Sequence, residues 1–223
     1  MIDYLRRELG VTFHFSTLVR DIEPGRLHST AGSFSAAQII VCCGHDYQTL
    51  LAEQIAELHP QICRLQMLRA RPQINLNLQH ALLTGLSGVH YGAFADLPEA
   101  AAVQAEILRD APHLHENGIH LLISPTPYGE LIIGDSHHYG SDPSPFNGEQ
   151  VDDWMIELAE QTLACKVQVV ERWQGVYGSR GPGPFSFLRP VEGLSVALMH
   201  SGVGMSVGPA MAERNVATVL GEI

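Results

Sequence analysis

The sequence predicts a mixed α/β and α+β fold. A layered α/β unit is built from both ends of the chain, and an antiparallel sheet with helices lies between them. Three observations carry this. The apolar run Leu194 to Met199 has strand length and leads through a glycine-punctuated turn into a C-terminal helix pattern. A second continuous apolar run, Gln38 to Cys43, suits a strand covered on both faces. Between them, short strand patterns are cut by Pro and Gly into hairpin-sized pieces. The boundaries expected are 1–58 with 190–223 for the layered unit and 59–189 for the middle.

The elements follow in order. Ile2 to Leu9 places Ile2, Leu5 and Leu9 on one helical face, with Gly10 as a stop. Val11 to Phe15 alternates as a strand does. Thr17 to Glu23 and Arg26 to Ser29 flank Pro24-Gly25 as a hairpin, continued by Ser33-Phe34. Gly44 ends the Gln38–Cys43 strand, and Tyr47 to Leu58 is amphipathic. Arg64 to Ala70, Gln73 to Leu78 and Val89 to Phe94 read as strands, and Leu97 to Leu108 as a helix. Ile119 to Ser124 and Glu130 to Asp135 form a hairpin around Pro125 to Gly129. A polar loop over Gly140 to Gly148 precedes a helix from Val151 to Leu163, with Trp154, Leu158 and Ala159 on one face. Val167 to Tyr177 is a strand, and Gly178 to Pro184 is a structureless loop of the kind that often carries function. After His200 to Gly208, Pro209 suits the first turn of a helix running to Leu220.

Composition narrows the function. The chain has 223 residues, 45% hydrophobic and 17% charged, enough to build a packed core. A net charge of −11 and a pI near 5.4 argue against a nucleic-acid partner. Cys42, Cys43, Cys63 and Cys165 show no CxxC spacing, and the Cys42-Cys43 pair is expected to be buried thiol in a reducing compartment. The first ten residues carry four charges and no leader pattern. No apolar run approaches the roughly 20 residues of a membrane span. A soluble, cytoplasmic protein is expected.

The turn Gly202 to Gly208 fits GxGxxxG after a strand and before a helix. A dinucleotide fingerprint also needs a second strand with an acidic residue about 20 positions later, and the sequence has none there. The turn therefore reads as backbone N–H groups brought to a ligand. Ser201 resembles a nucleophile elbow, but Met199 and Val203 crowd it and no histidine follows. The 12 histidines include His113 and His115, one apart, and Asp135-x-His137-His138 at a strand end. Without an HExxH pair or a zinc-spaced Cys/His quartet they read as loop and surface residues, and no metal site is expected. His138 is a candidate for facing a pocket. Arg180, in the glycine-proline loop, could clamp an anion, and Tyr177 could donate a phenolic hydrogen bond. Arg69 and Arg71 are further anion candidates, with solvated strand positions favoured.

In order, Glu171 to Tyr177, Leu194 to Met199, the glycine turn and the last helix resemble the C-terminal end of the D-amino acid oxidase/glycine oxidase family of FAD-dependent amine oxidases. Gln38 to Gly44 is similar to that family's strand beside the dinucleotide, and Val11 to Ile22 to the segment before it. Ile119 to Tyr139 looks like its substrate-domain hairpin, most similar to a branch associated with phosphonate breakdown. The resemblance implies a partial, Rossmann-like FAD-binding domain over 1–58 and 190–223, and a substrate-binding domain over 59–189. It implies non-covalent FAD, since no cysteine sits where some relatives attach flavin. The implied cofactor contacts are Val19, Cys43, Gly44, Gly178, His200, Gly202, Val203, Gly204, Met205 and Ser206. The implied substrate contacts are Tyr177, Arg180 and His138, for a small anionic amine oxidised at its C–N bond. No strand–GxGxxG–helix is present, so the chain reads as a C-terminal portion. Tyr177 stands where the family's carboxylate-binding arginine falls, and Met199 where it has glycine. The alternative is a non-catalytic truncated remnant or interaction module unable to hold FAD alone. Unpaired apolar strands leave a homo-oligomer open.

Overall fold

The glycine-flanked apolar runs and the hairpin-rich middle fold into separate bodies. The computed structural model describes residues 1–142, 144–179, 181 and 183–223. Two compact units result, one made of Met1–His59 with Gly181–Ile223, the other of Pro60–Arg180. The mixed architecture agrees with the expected fold class.

The first unit begins with α1 (Ile2–Glu8), β1 (Val19–Glu23), β2 (Arg26–Ser29), β3 (Gly32–Ser35), β4 (Ile39–Val41) and α2 (Ala52–Ala56). The second contains β5 (Gln61–Pro72), β6 (Leu82–Leu83), α3 (Gly85–Gly88), α4 (Pro98–Asp110), α5 (Pro112–Glu116), β7 (Leu122–Pro125), β8 (Leu131–Gly134), β9 (His138–Gly140), α6 (Glu149–Leu163) and β10 (Val167–Ser179). The chain then returns to the first unit with β11 (Phe185–Val191), β12 (Leu194–Met199) and α7 (Gly204–Leu220).

In the first unit, β1, β2 and β3 form an antiparallel sheet, and a second sheet runs β11–β12–β4 with β12 and β4 parallel. Ile39, Val41, Leu194, Val196 and Leu198 close on Ile55 of α2 to make its core. Ile40, between two buried neighbours, is exposed, so the run is covered on one face rather than two. The segment before Pro190, expected in the middle of the chain's layout, joins this unit from Gly181 onward. Phe185, Ser186, Phe187 and Leu188 pair with Met199, Leu198, Ala197 and Val196 of β12 and draw it there.

In the second unit the sheet runs β10–β5–β8–β7–β6, with β9 also on β5. Residues 64, 66, 68 and 70 of β5 point to one side and are buried, where Leu68 and Ala70 meet Ile133, Val151, Met155 and Ala159. Gln66 is fully buried on this side and fully used. Its amide donates to Asp152 Oδ1 (2.7 Å) and to the Gly148 carbonyl (2.9 Å), and its oxygen accepts from Gly148 N–H (2.9 Å). One side chain thus anchors the start of α6, while Arg172 Nε caps the other oxygen of Asp152 at 3.0 Å.

Several expectations fail for identifiable reasons. Residues 11–15 form no strand; Phe13 and Phe15 stack on each other under Arg6 instead. The helix expected over Tyr47–Leu58 shrinks to α2, because Asp46 Oδ1 accepts from Gln48 and Thr49 N–H and Leu51 adopts a left-handed backbone. Residues 73–78 are irregular: the Asn75 side chain accepts from Asn77 N–H, and Asn77 has φ 45°. Residues 89–94 continue α3 as turns. β6, α5, β9 and β11 are found beyond the expected elements. α7 starts inside the glycine turn, which leaves Pro209 within the helix rather than at its first turn. All four cysteines are free, but Cys42 is exposed rather than buried. Among the described residues no helix is long and apolar enough to cross a membrane.

Replacing Gln66 by Ala strips the Gly148 and Asp152 groups of buried partners. We expect it to cost on the order of 2–4 kcal/mol in urea denaturation; a cost below about 0.5 kcal/mol would show that α6 is anchored by other contacts.

Candidate functional site

In the first unit the parallel pairing sets Ile39, Ile40 and Val41 opposite Leu194, Ser195 and Val196. Cys43 and Gly44 after β4 therefore emerge at the same sheet edge as His200 to Ser206 after β12. That carboxyl edge is where open α/β sheets receive ligands. Gly44 turns there with φ +65°. His200 is buried, its N–H donating to the Pro184 carbonyl (2.8 Å) and its Nε2 lying 2.9 Å from Ser186 Oγ. Its Nδ1 is buried without a partner among the described residues. Gly181 lies against the ring: a Cβ there would sit 2.5 Å from ring carbons, so only glycine fits. Burial lowers the His200 pKa, favouring the neutral ring.

The helix that follows has an open start. Val203, its N-cap, supplies no side-chain cap, and Met205 is 97% exposed. The first N–H groups of α7 are thus not covered by a side chain, and with the helix dipole they suit an electron-rich partner. Of the expected cofactor contacts, Cys43, Gly44, His200, Gly202, Val203, Gly204, Met205 and Ser206 meet at this edge. Val19 lies half-buried at the start of β1, and Gly178 is buried on β10 in the second unit.

In the second unit, β5 decides which side chains converge. Cys63 faces Tyr177 on β10 and Tyr139 on β9, while Arg64 faces Val176 and His138. Directly opposed residues share a face and chain neighbours do not. Tyr177 and His138 therefore point to opposite faces of the sheet, and the two expected substrate contacts do not converge. Arg180, the third, lies outside the described residues. Arg69 and Arg71 both pair with the largely buried Glu130, and Arg69 also with Glu171 at 2.7 Å, so they are committed to ion pairs.

The Tyr177 face holds a cluster that sequence reading missed. His120 and Asp135 are tied by two backbone hydrogen bonds, His120 N–H to Asp135 O (2.8 Å) and Asp135 N–H to His120 O (2.6 Å). His137 N–H donates to Asn117 O, and its Nδ1 lies 3.0 Å from Gly118 O. Gly118 has φ +55°, and a Cβ there would stand 2.8 Å from His137 O, so this approach needs glycine. The His137 ring sits 4.0 Å from that of His120 and 6.5 Å, edge-on, from Tyr177; the His120 ring is 3.9 Å from His90. A cavity of about 310 Å³ opens here, lined also by His115, Glu116 and Tyr139. A larger one, about 600 Å³, between residues 72–79 and 125–131 has no titratable side chain in its lining.

Burial governs the charges of this cluster. It pushes the Asp135 carboxyl up to about 7 and His120 down to about 3, and it lowers His137 and His90. Burial and the Cys63 thiol raise the Tyr177 hydroxyl, which stays a neutral donor. His120, Asp135 and His137 each offer a ligand atom, all within 4.8 Å of one another. The histidines expected at the surface thus include a buried group. Asp135 and His137 were visible as a motif; His120 comes from 15 residues away through strand pairing, which spacing does not reveal.

A parallel strand–glycine turn–helix edge in one unit and an antiparallel sheet bearing polar aromatics in the other define a two-unit protein of mixed α/β and α+β class. The chain belongs to the DAO family of FAD dependent oxidoreductases, whose pattern it matches over residues 3–217. Its fold is similar to glycine oxidase from Geobacillus kaustophilus (16% identity, TM-score 0.61, covering 94% of this chain and 50% of that one). It is also similar to L-amino acid deaminase from Proteus myxofaciens (14%, 0.62, 100% and 56%) and to iminodiacetate oxidase from Chelativorans sp. BNC1 (15%, 0.58, 92% and 48%). The chain spans about half the length of these structures. No protein of curated function matches the sequence significantly.

The Asp135 shift gives a signed test. Its carboxyl is raised in the folded state from 3.8 to about 7, so folding favours the protonated form. That contribution is present below pH 4 and is lost as pH rises through 7. Asp135→Asn should therefore gain stability relative to wild type between pH 4 and pH 8, by at most on the order of 4 kcal/mol. Urea melts in chelator-containing buffer check this; an identical difference at both pH values would contradict a buried, raised carboxyl.

Proposed function

We propose that this chain is the C-terminal part of an FAD-dependent oxidoreductase that oxidises a C–N bond of a small primary or secondary amine, an amino acid or aminophosphonate, to an imine. The observation that carries it is the open start of α7 at the carboxyl edge of β4 and β12, in a chain of the DAO family. The described residues fit a non-covalent flavin there. The N–H groups of Gly204 and Met205 would hold an electron-rich ring edge, Ser206 N–H already donating to the Val203 carbonyl (3.0 Å), and Cys43, Gly44 and His200 would line its approach. The orphaned His200 Nδ1 offers a further polar contact. Val19 and Gly178 are retained as contacts on the family resemblance. The pyrophosphate cradle of the family, a strand–GxGxxG–helix, is not in this sequence.

Bound FAD supplies a two-electron acceptor, and the amine becomes an imine by losing a hydride from carbon and a proton from nitrogen. The protein's part is to hold the amine as its free base and to orient it. In the second unit, proposed to bind substrate, Tyr177 is the hydrogen-bond donor, neutral at working pH. Arg180 is the proposed partner of an anionic carboxylate or phosphonate. His138, on the opposite face from Tyr177, is left out of this set.

The test reconstitutes the chain with FAD and mixes it anaerobically with amines bearing a carboxylate, a phosphonate or neither. Bleaching of the visible flavin band by one class is expected, with Tyr177→Phe about 10-fold slower, the equivalent of one lost hydrogen bond. Flavin that binds but is bleached by none would contradict amine oxidation. Failure to bind FAD at all would favour the remnant or interaction module.

A further inference from the structure

The second unit carries a group of metal-ligating side chains that the flavin reading does not use. His137 Nδ1 lies 3.0 Å from the Gly118 carbonyl, which can only accept, so the ring proton sits on Nδ1 and the Nε2 lone pair is free. That Nε2 faces Asp135 Oδ2 at 3.7 Å, beyond hydrogen-bond distance. Two ligands on one tetrahedral Zn²⁺, with bonds near 2.1 Å, stand about 3.4 Å apart. The other Asp135 oxygen, Oδ1, is buried with no hydrogen-bond partner among the described residues. His120, held opposite Asp135 by two backbone bonds, completes a trio whose ligand atoms all lie within 4.8 Å. The His137–Gly118 bond is the kind of outer contact that orients a metal-bound imidazole, and Gly118 is the residue that permits it.

We propose that His120, Asp135 and His137 bind one divalent first-row transition metal ion of the zinc class. Two imidazoles and one carboxylate suit such an ion, while offering Ca²⁺ or Mg²⁺, which prefer an all-oxygen shell, only the single carboxylate. Three protein ligands leave a coordination position open. The cavity lined by His90, His115 and Tyr139 lies beside it, so the open position takes water or an oxygen donor. The site lies wholly within the second unit and does not depend on flavin binding.

The test titrates Co²⁺ into the chelator-treated full chain and follows its visible d–d absorption, then displaces it with Zn²⁺. Saturation at one equivalent is expected. Asp135→Asn and His137→Gln should each weaken binding by about 100-fold or more. His28→Ala, in the β2 hairpin of the first unit, should not change it. Far-UV circular dichroism verifies that the variants are folded, and His120→Gln replaces either one that is not. Absence of saturable one-equivalent uptake by the wild-type chain would overturn the proposal, as would uptake that the folded ligand variants leave unchanged. Both outcomes are read without FAD or an amine, so they are independent of the oxidase reading.

Discussion

The ladder between β5 and β10 is the constraint on which the second unit rests. It pairs residues 61–72 with 167–179 over the full length of both strands. The one irregularity is a bulge on β10 between Val169 and Glu171; β5 itself runs unbroken, so a side-chain period of two assigns each of its residues to a face. Gln66, Leu68 and Ala70 go to the helix side, where α6 covers them. Cys63 goes to the other side, together with Tyr177 and Tyr139. A slip of one residue would put Gln66 outside and Cys63 against α6, losing the anchor of the helix and the polar face together. Fold stability and site composition are thus set by the same hydrogen bonds.

The first unit works through a different constraint, the parallel pairing of β4 with β12. Parallel neighbours send their following loops to the same edge, so the turn after β4 and the glycine turn near the C-terminus meet without any direct sequence link. Glycine is needed where the backbone itself approaches something. Gly181 clears the His200 ring and Gly44 makes a turn at positive φ. The helix α7 then begins one residue after Val203, earlier than Pro209 suggests, because glycines tolerate helical dihedrals as well as turns. The consequence is a helix start without a side-chain cap at the carboxyl edge of the sheet.

Much of this was legible in the sequence, and the failures have a common cause. α4, α6, β10 and β12 each have long, clean periodicity, and the structure has them close to where the pattern places them. Residues 11–15 and 73–78 alternate equally well yet are not strands. A strand needs a partner, and partners are not encoded in local pattern. In 73–78 the asparagine side chains also satisfy the backbone locally. The glycine turn after β12 was readable because its residues are contiguous. The His120–Asp135–His137 group was not, since one ligand is supplied across a strand pair. Tyr177 and His138, both expected as substrate contacts, do not converge for the same reason. Their distance in sequence says nothing about which face each takes, and β5 places them on opposite ones.

We propose that the edge formed by β4 and β12 holds the flavin. Hydrogen–deuterium exchange of the chain with and without FAD tests it at the residues themselves. Protection confined mainly to residues 43–44 and 200–206 is expected. Bound FAD that leaves the amides of 202–206 exchanging at their free rate would contradict it.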